Sequence, residues 1–564
     1  MQVAVFKFRM RATIAAVLAL AELAFSGSPR TTLLANALQG PAQQAESVES
    51  LSVRIAAHLA QPRFGAAAWG VKIVSLETGQ TIFEHNAGKY FSPASNAKLY
   101  STALAIDHLG GDFRIKTSLY STARPDASGV IRGDLIVYGR GDPTMAARLN
   151  DGDYYKGLEP LAEKLAAAGV RRIEGDLIGD ESFFQGPPFG SGWEWDDLQW
   201  YYGAEVSALS VNDNSVDLFV KPAERAGIPC AITTGPPTSH IVVMNRTQTT
   251  AKGTEGRISV YRPVGENVVY ISGRLPLGDR GYTGYVAVHN PAGLFVSLFK
   301  EVLARRGIEV RGHTRTVDWK YREVAPLDVR KLNELGSVES LPVKDIARET
   351  LKPSQNLWAQ LLLLQVGAMA ERFDSAHRQA GETKKNSEGT GASSTVSLPG
   401  GTSQIAPPDF STTEDFGINA LNDFLIEAGV KKGDVLLEEG SGLSRRDIIT
   451  PNATVALLEF MNRHRQRAVY RDALPIAGVD GTLEKRMKGT PAENNVRAKT
   501  GSLRYVHALS GYVTTAAGEP LAFSIMLNNS YNPAGNGSAR DDIDAIPIML
   551  AGFNGRTGKP EARQ

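Results

Sequence analysis

Apolar residues recur at helical spacing over residues 51–60, then give way to two alternating runs at 69–76 and 81–84. The link between these runs, Glu77-Thr78-Gly79-Gln80, is a short Gly-containing turn that predicts a hairpin. Pro93 opens a helical pattern that runs to about Leu109 and stops at Gly110-Gly111, the start and stop residues that helices favour. From 116 to 334 the texture is β-rich: short runs such as 134–138, 216–220, 268–271 and 286–289, divided by Gly, Pro and Asp. Helical periodicity returns at 343–350 and 357–366, the second run apolar enough to be buried. Runs at 495–498, 508–513 and 521–527 predict an antiparallel meander, and a last helix is expected over 542–551. No internal repeat is visible at a solenoid period.

The pattern divides the chain into an early and a late segment of mixed helix and strand, 45–115 and 335–550, separated by the β-rich stretch 116–334. Residues 381–408 hold Lys384-Lys385, several Ser, Thr and Gly, and Pro407-Pro408; with little to bury, they predict a mobile surface excursion. Residues 552–564 read as a polar tail. Ahead of all this, Lys7, Arg9 and Arg11 precede the apolar run 12–21, a secretory-type leader within 1–37. Its cleavage point falls either near 24–28 or after Ala35-Asn36-Ala37. The alternative is an amphipathic N-terminal helix of a cytosolic protein. No other stretch reaches about 18 apolar residues, so the expected product is exported to the periplasm or another extracytoplasmic space, soluble or peripheral to the membrane.

Composition narrows the function little. A chain of 564 residues exceeds one ordinary domain, and 42% hydrophobic with 21% charged residues is globular. A net charge of +1 offers no electrostatic footprint for nucleic acid. The single cysteine, Cys230, excludes an internal disulfide and any multi-cysteine metal site; a buried thiol is its expected state.

Three short patterns carry chemistry. In Ser95-Asn96-Ala97-Lys98, at the start of the helix after Pro93, the serine and lysine share one helical face, so an amine can reach the hydroxyl. Desolvation and nearby positive charge would make Lys98 a base for an otherwise poor nucleophile, and the helix N-terminus favours an oxyanion. Ser354-Gln355-Asn356 follows Pro353 and precedes the apolar helix. Ser354 there is a helix cap by default; in a catalytic site it relays a proton, while Asn356 fixes Lys98 and a substrate amide. Lys499-Thr500-Gly501 closes a predicted strand: Lys499 orients the site electrostatically, Thr500 binds a carboxylate, and Gly501 admits a close backbone. Each pattern alone is ordinary, a surface helix start, a cap and a strand exit. Together, in this order and context, they match the β-lactam-reactive serine enzymes.

Around these motifs the chain resembles the D-alanyl-D-alanine carboxypeptidase/endopeptidases of penicillin-binding protein 4 type, peptidase family S13. The likeness includes Phe91 to Lys98, Gly141-Asp-Pro-Thr144, Glu205 to Asn214, Gly440-Ser-Gly-Leu-Ser-Arg445, Pro475 to Leu483, Ala498 to Ser502 and Ala508 to Val513. It implies an α/β (α+β) fold, a β-lactamase/transpeptidase-like domain whose antiparallel sheet is flanked by helices, split by a mostly β insertion of two parts. It also implies acylation of Ser95, with Lys98 as base, Ser354 and Asn356 for relay and positioning, and Lys499 completing the cluster. Backbone N–H groups of Ser95 and Ser502 would form the oxyanion hole, and Thr500 and Ser502 would hold the terminal carboxylate. Arg445 with an acidic residue, Asp197, would line a pocket for the third stem-peptide residue, commonly diaminopimelate; the alternative is that both are structural or solvated. Gln355 stands where Asp is frequent and Ser502 where Thr is.

The expected partners are peptidoglycan stem peptides and β-lactams, with no cofactor and no metal. No H-E-x-x-H, G-x-x-x-x-G-K-[ST] or G-x-S-x-G pattern supports a zinc, nucleotide or α/β-hydrolase enzyme, and His507 near Lys499 reads as a packed strand residue. Two rivals stay open: a β-lactamase or esterase on the same fold, and a non-catalytic peptidoglycan-binding scaffold. Carboxypeptidase and endopeptidase activity are not separable at this level, nor is the oligomeric state readable.

Overall fold

The computed structural model describes residues 45–385, 411–531 and 538–558, with side chains except over 373–385. The leader expected within 1–37 and the excursion from 386 onward lie outside the described residues, and residues 381–385 continue the preceding helix. Contacts divide the chain after Glu46, and the fold belongs to the unit from Ser47 on.

Five antiparallel strands form the first sheet, in the order Arg497–Leu503, Val506–Thr514, Pro520–Asn528, Ala68–Ser75, Thr81–His85. Strand alternation gives it two apolar faces. Leu509, Val513, Leu521, Phe523 and Ile525 pack with Leu51 and Ile55 of the helix Val48–Leu59 and Ile543, Ile546 and Leu550 of the helix Ala539–Gly552. Ala508, Tyr512, Ala522 and Met526 face the other way, onto the helices Lys98–Leu109, Pro451–Arg463 and Arg467–Ala473 and the apolar helix Asn356–Lys385. Trp358 and Leu361 to Leu363, all but fully buried, make that last helix the centre of this face.

A second sheet, of five strands, begins at Lys116 and ends at Glu339. Its order is Thr314–Val317, Leu177–Asp180, Leu135–Tyr138, Lys116–Ser121, Asn333–Glu339, with two parallel and two antiparallel pairings. Two three-stranded sheets over 215–287 and a short one over 130–310 complete the stretch.

The region holds helices that strand-like punctuation conceals. Pro291–Arg305 is a 15-residue helix started by Pro291 and capped by Asn290, whose side chain accepts the Gly293 N–H. Leu294, Phe295, Leu298, Phe299, Val302 and Leu303 bury one face of it. The strand expected over 286–289 therefore stops at Ala287, because Asn290 turns into the left-handed region to cap. Glu159–Ala167 is a second such helix. Cys230 lies buried in this core beside Thr249.

Truncating Phe295 to Ala should destabilise this second core by about 3–5 kcal/mol, the cost of emptying a large buried site. Urea unfolding of the variant against the parent protein measures it.

Candidate active site

Pro93 and a left-handed Ala94, at φ 47°, lead into a tight turn, Ala94–Ala97, from which the helix Lys98–Leu109 continues. Ser95 and Lys98 thus sit three positions apart on one face, and the Lys98 ammonium donates to Ser95 Oγ at 2.9 Å. Its other donors go to Asn356 Oδ1 and the Ser441 carbonyl, both at 2.6 Å. Asn356 is the first residue of the apolar helix, and its Nδ2 donates to the Tyr202 carbonyl at 2.7 Å, which fixes the amide's orientation. Lys98 is wholly buried. Desolvation draws its pKa down to about 7, and negative charge on the neighbouring pair of carboxyl groups, Glu439 and Asp447, opposes that fall.

The second amine mirrors the first. Lys499 Nζ donates to Ser354 Oγ at 2.8 Å and to the Thr500 carbonyl at 3.0 Å. Burial, then repulsion from Lys98 and Arg486, holds its pKa well below the ordinary lysine value. Ser354 is not a helix cap: it sits at φ 67°, ahead of a helix that begins at Asn356, and its hydroxyl is spent on Lys499. The Lys499 tripeptide is likewise not at a strand end. The strand runs to Leu503, because pairing with the neighbouring strand persists to Leu503 opposite Val506, where Tyr505 makes the turn at φ 65°. Alternation along this edge strand turns Ala498 into the core beneath the sheet and Gly501 toward the Ser95 turn. A Cβ on Gly501 would stand 2.5 Å from the Pro93 carbonyl, so only glycine lets the strand and the Ser95 turn meet. Thr500 Oγ1 donates to Thr482 Oγ1 at 2.8 Å.

Ser95, Ser354, Asn356, Thr500, Ser502, Asp197 and Arg445 line one cleft of about 990 Å³. Its lining carries both signs of charge: Glu194, Asp196 and Asp197, and Arg445, Arg486, Arg504 and Arg540. Arg445 forms its ion pair with Glu194, at 3.5 Å, rather than with Asp197. Burial and then the Asp196 and Glu194 charges raise the Asp197 pKa, and the Arg445 charge opposes them. Motif reading missed the extra arginines, Tyr201 and Tyr202, and the loop bearing Ser441. Of these, Ser441 lies in the Gly440 to Arg445 block and Arg486 just beyond the Gly481-Thr-Leu483 block, so the blocks held a usable signal. His507 is half-buried, with its pKa lowered by burial and then by Arg540 and Arg486, and no hydrogen bond ties it to either lysine. The described residues contain no group of three His, Cys, Asp or Glu suited to a metal ion.

The model of the D-Ala-D-Ala carboxypeptidase 3 (S13) family matches residues 51–391 and 406–550. The D-alanyl-D-alanine carboxypeptidase of Actinomadura sp. is 31% identical over 550 residues, covering 95% of this chain and 90% of that protein. The D-alanyl-D-alanine carboxypeptidase DacB of Haemophilus influenzae is 26% identical, covering 80% and 84%. The crystal structure of penicillin binding protein 4 from Haemophilus influenzae superposes with a TM-score of 0.67 at 23% identity, covering 90% of this chain and 98% of that one, a likeness of mixed α/β fold.

Gly442 offers a sharp test of how tightly the site is assembled. It stands at φ +77°, and a Cβ there would lie 1.9 Å from the Ala94 carbonyl, one residue before Ser95. Gly442→Ala should therefore displace the Ser95 turn and slow acylation by a fluorescent penicillin about 100-fold, the scale expected for a displacement near 1 Å.

Proposed function

The chain belongs to the D-Ala-D-Ala carboxypeptidase (S13) family, and from that premise we propose that it hydrolyses the terminal D-alanyl-D-alanine bond of peptidoglycan stem peptides through an acyl-enzyme on Ser95. The observation that carries the reading is the 2.9 Å contact between Ser95 Oγ and a fully buried Lys98 whose pKa lies near 7. Lys98 as the free amine takes the Ser95 proton, and Oγ attacks the carbonyl carbon of the penultimate D-alanine. Backbone N–H groups of Ser95 and Ser502 hold the oxyanion. Ser354, fed by Lys499, passes a proton to the leaving nitrogen, the C–N bond breaks and D-alanine departs. Water then attacks the ester and Ser95 regains its proton.

Thr500 and Ser502, backed by the arginines of the cleft, hold the terminal carboxylate. Arg445, with Glu194 and Asp197 across from it, holds the charged end of the third stem residue. β-Lactams acylate the same serine, and the Haemophilus influenzae penicillin binding protein 4 has been crystallised with a β-lactam. A cleft of about 990 Å³ lies at the upper end of ordinary ligand sites and admits a leaving group larger than alanine, which favours D,D-endopeptidase activity as well. An extracytoplasmic location follows from this substrate, and no helix among the described residues is long and apolar enough to cross a membrane.

Mass analysis of tryptic peptides after penicillin labelling should place the adduct on Ser95; a different acylated residue overturns the assignment. Lys98→Met, which keeps the volume but not the amine, should slow acylation by about 10²–10⁴-fold. In the parent protein the acylation rate should rise with pH through about 7, because the base works only after it has lost its proton. Product analysis on intact cross-linked muropeptides separates the two activities: release of D-alanine alone marks a pure carboxypeptidase, and cleavage of the cross-link marks an endopeptidase.

A further inference from the structure

Behind Lys98 the loop 438–447 folds around a carboxylate. Glu439 is fully buried and accepts the backbone N–H groups of Ser441 at 2.6 Å, Gly442 at 2.5 Å and Leu443 at 2.9 Å. The loop so held presents the Ser441 carbonyl to Lys98 and the Gly440 carbonyl to Ser101 Oγ, at 2.7 Å. Against it lies a second buried carboxyl, Asp447. Its Oδ1 accepts the Glu438 N–H at 2.9 Å, while its buried Oδ2 meets no hydrogen-bond donor among the described residues. The neighbour that acts on Asp447 most strongly is the Glu439 carboxyl.

A buried carboxylate oxygen without a donor is costly, and two touching carboxyl groups cannot both ionise cheaply. One proton between them removes both penalties. Four N–H donors, Ser444 at 3.4 Å being the fourth, mark Glu439 as the ionised partner, which leaves the proton on Asp447 Oδ2, donated to Glu439. We propose that Asp447 is a neutral acid hydrogen-bonded to an ionised Glu439, and that this carboxyl pair is a positioning element that leaves a single negative charge facing Lys98.

The other charged groups around the pair fit that state. Lys98 faces it from the nucleophile helix, with Lys499 beyond. Glu438 on the same loop is paired with Arg446 at 3.3 Å. Glu414, from the helix Thr413–Glu427, approaches through Gln360, which donates to it at 3.0 Å and accepts the Gly440 N–H at 2.7 Å. Burial and the neighbouring Glu439 charge both push Asp447 upward. The consequence falls on the base: an ionised Asp447 would add a second anion that holds Lys98 in its protonated, inactive form.

Two experiments test this, one free of the proposed chemistry and one resting on acylation of Ser95 through Lys98. In protein labelled with ¹³C at the aspartate carboxyls, the infrared spectrum at about pH 7.5 should show an isotope-shifted carboxylic-acid C=O band that Asp447→Asn lacks. Asp142, raised to about 6 by burial, is mostly ionised there. Absence of the band in the parent protein, or its survival in Asp447→Asn, overturns the proposal, and the parent spectrum decides even where the variant does not fold. In the kinetic arm Asp447→Asn copies the neutral acid, so the pH midpoint of β-lactam acylation should stay within about 0.3 pH unit of the parent value, whereas Glu439→Gln removes the anion and should lower it by about one. A midpoint that falls in Asp447→Asn, or holds in Glu439→Gln, contradicts the assignment. An infrared band as expected, with no acylation of Ser95 at all, leaves the pair intact and rejects only the catalytic reading.

Discussion

The site is organised by one buried amine. Lys98 has no contact with water, and its three donors are used on Ser95 Oγ, Asn356 Oδ1 and the Ser441 carbonyl. Each acceptor belongs to a different part of the chain: the turn at the helix start, the head of the apolar helix, and the loop around Glu439. Moving any of them strands a buried charge, so the amine ties the three segments together as firmly as it is tied by them. Glycine at 442 and 501 lets loop and strand approach the Ser95 turn at distances no side chain permits.

Desolvation is both the cost and the use of this arrangement. Burial lowers the proton affinity of both lysines, and the charge of Lys98 lowers that of Lys499 further. The apolar packing of Trp358 and its neighbours on one side of the sheet, and of Phe523 and Ile525 on the other, supplies the rigidity that holds the amines in place. The single negative charge assigned to the Glu439 and Asp447 pair then sets how far Lys98 falls. Enough charge remains to keep the loop bound, and not so much that the base stays protonated.

Much of this was legible in the sequence for physical reasons. The hairpin of 69–84, the meander near the C-terminus and the apolar helix from Leu357 follow from periodicity, and the Ser95, Ser354 and Lys499 motifs from residue types that activate a hydroxyl. The misses also have causes. The helix Pro291–Arg305 hides behind an Asn-Pro pair that reads as a turn yet is a cap and first residue. Ser354 looks like a cap because serine before an apolar run usually is one; its left-handed backbone and its bond to Lys499 are tertiary facts. Arg445 pairs with Glu194, one of three acidic residues within four positions, and sequence alone does not rank them. Glu439 and Asp447, eight residues apart on a loop, carry no periodic signature; only the fold brings their carboxyls together.

The central claim, that burial makes Lys98 a free base near neutral pH, is tested most directly by titrating its side-chain nitrogen in ¹⁵N-lysine-labelled protein, with Lys98→Met to assign the resonance. The structure predicts a midpoint at about 7. A midpoint at the ordinary lysine value of 10.5 would contradict it.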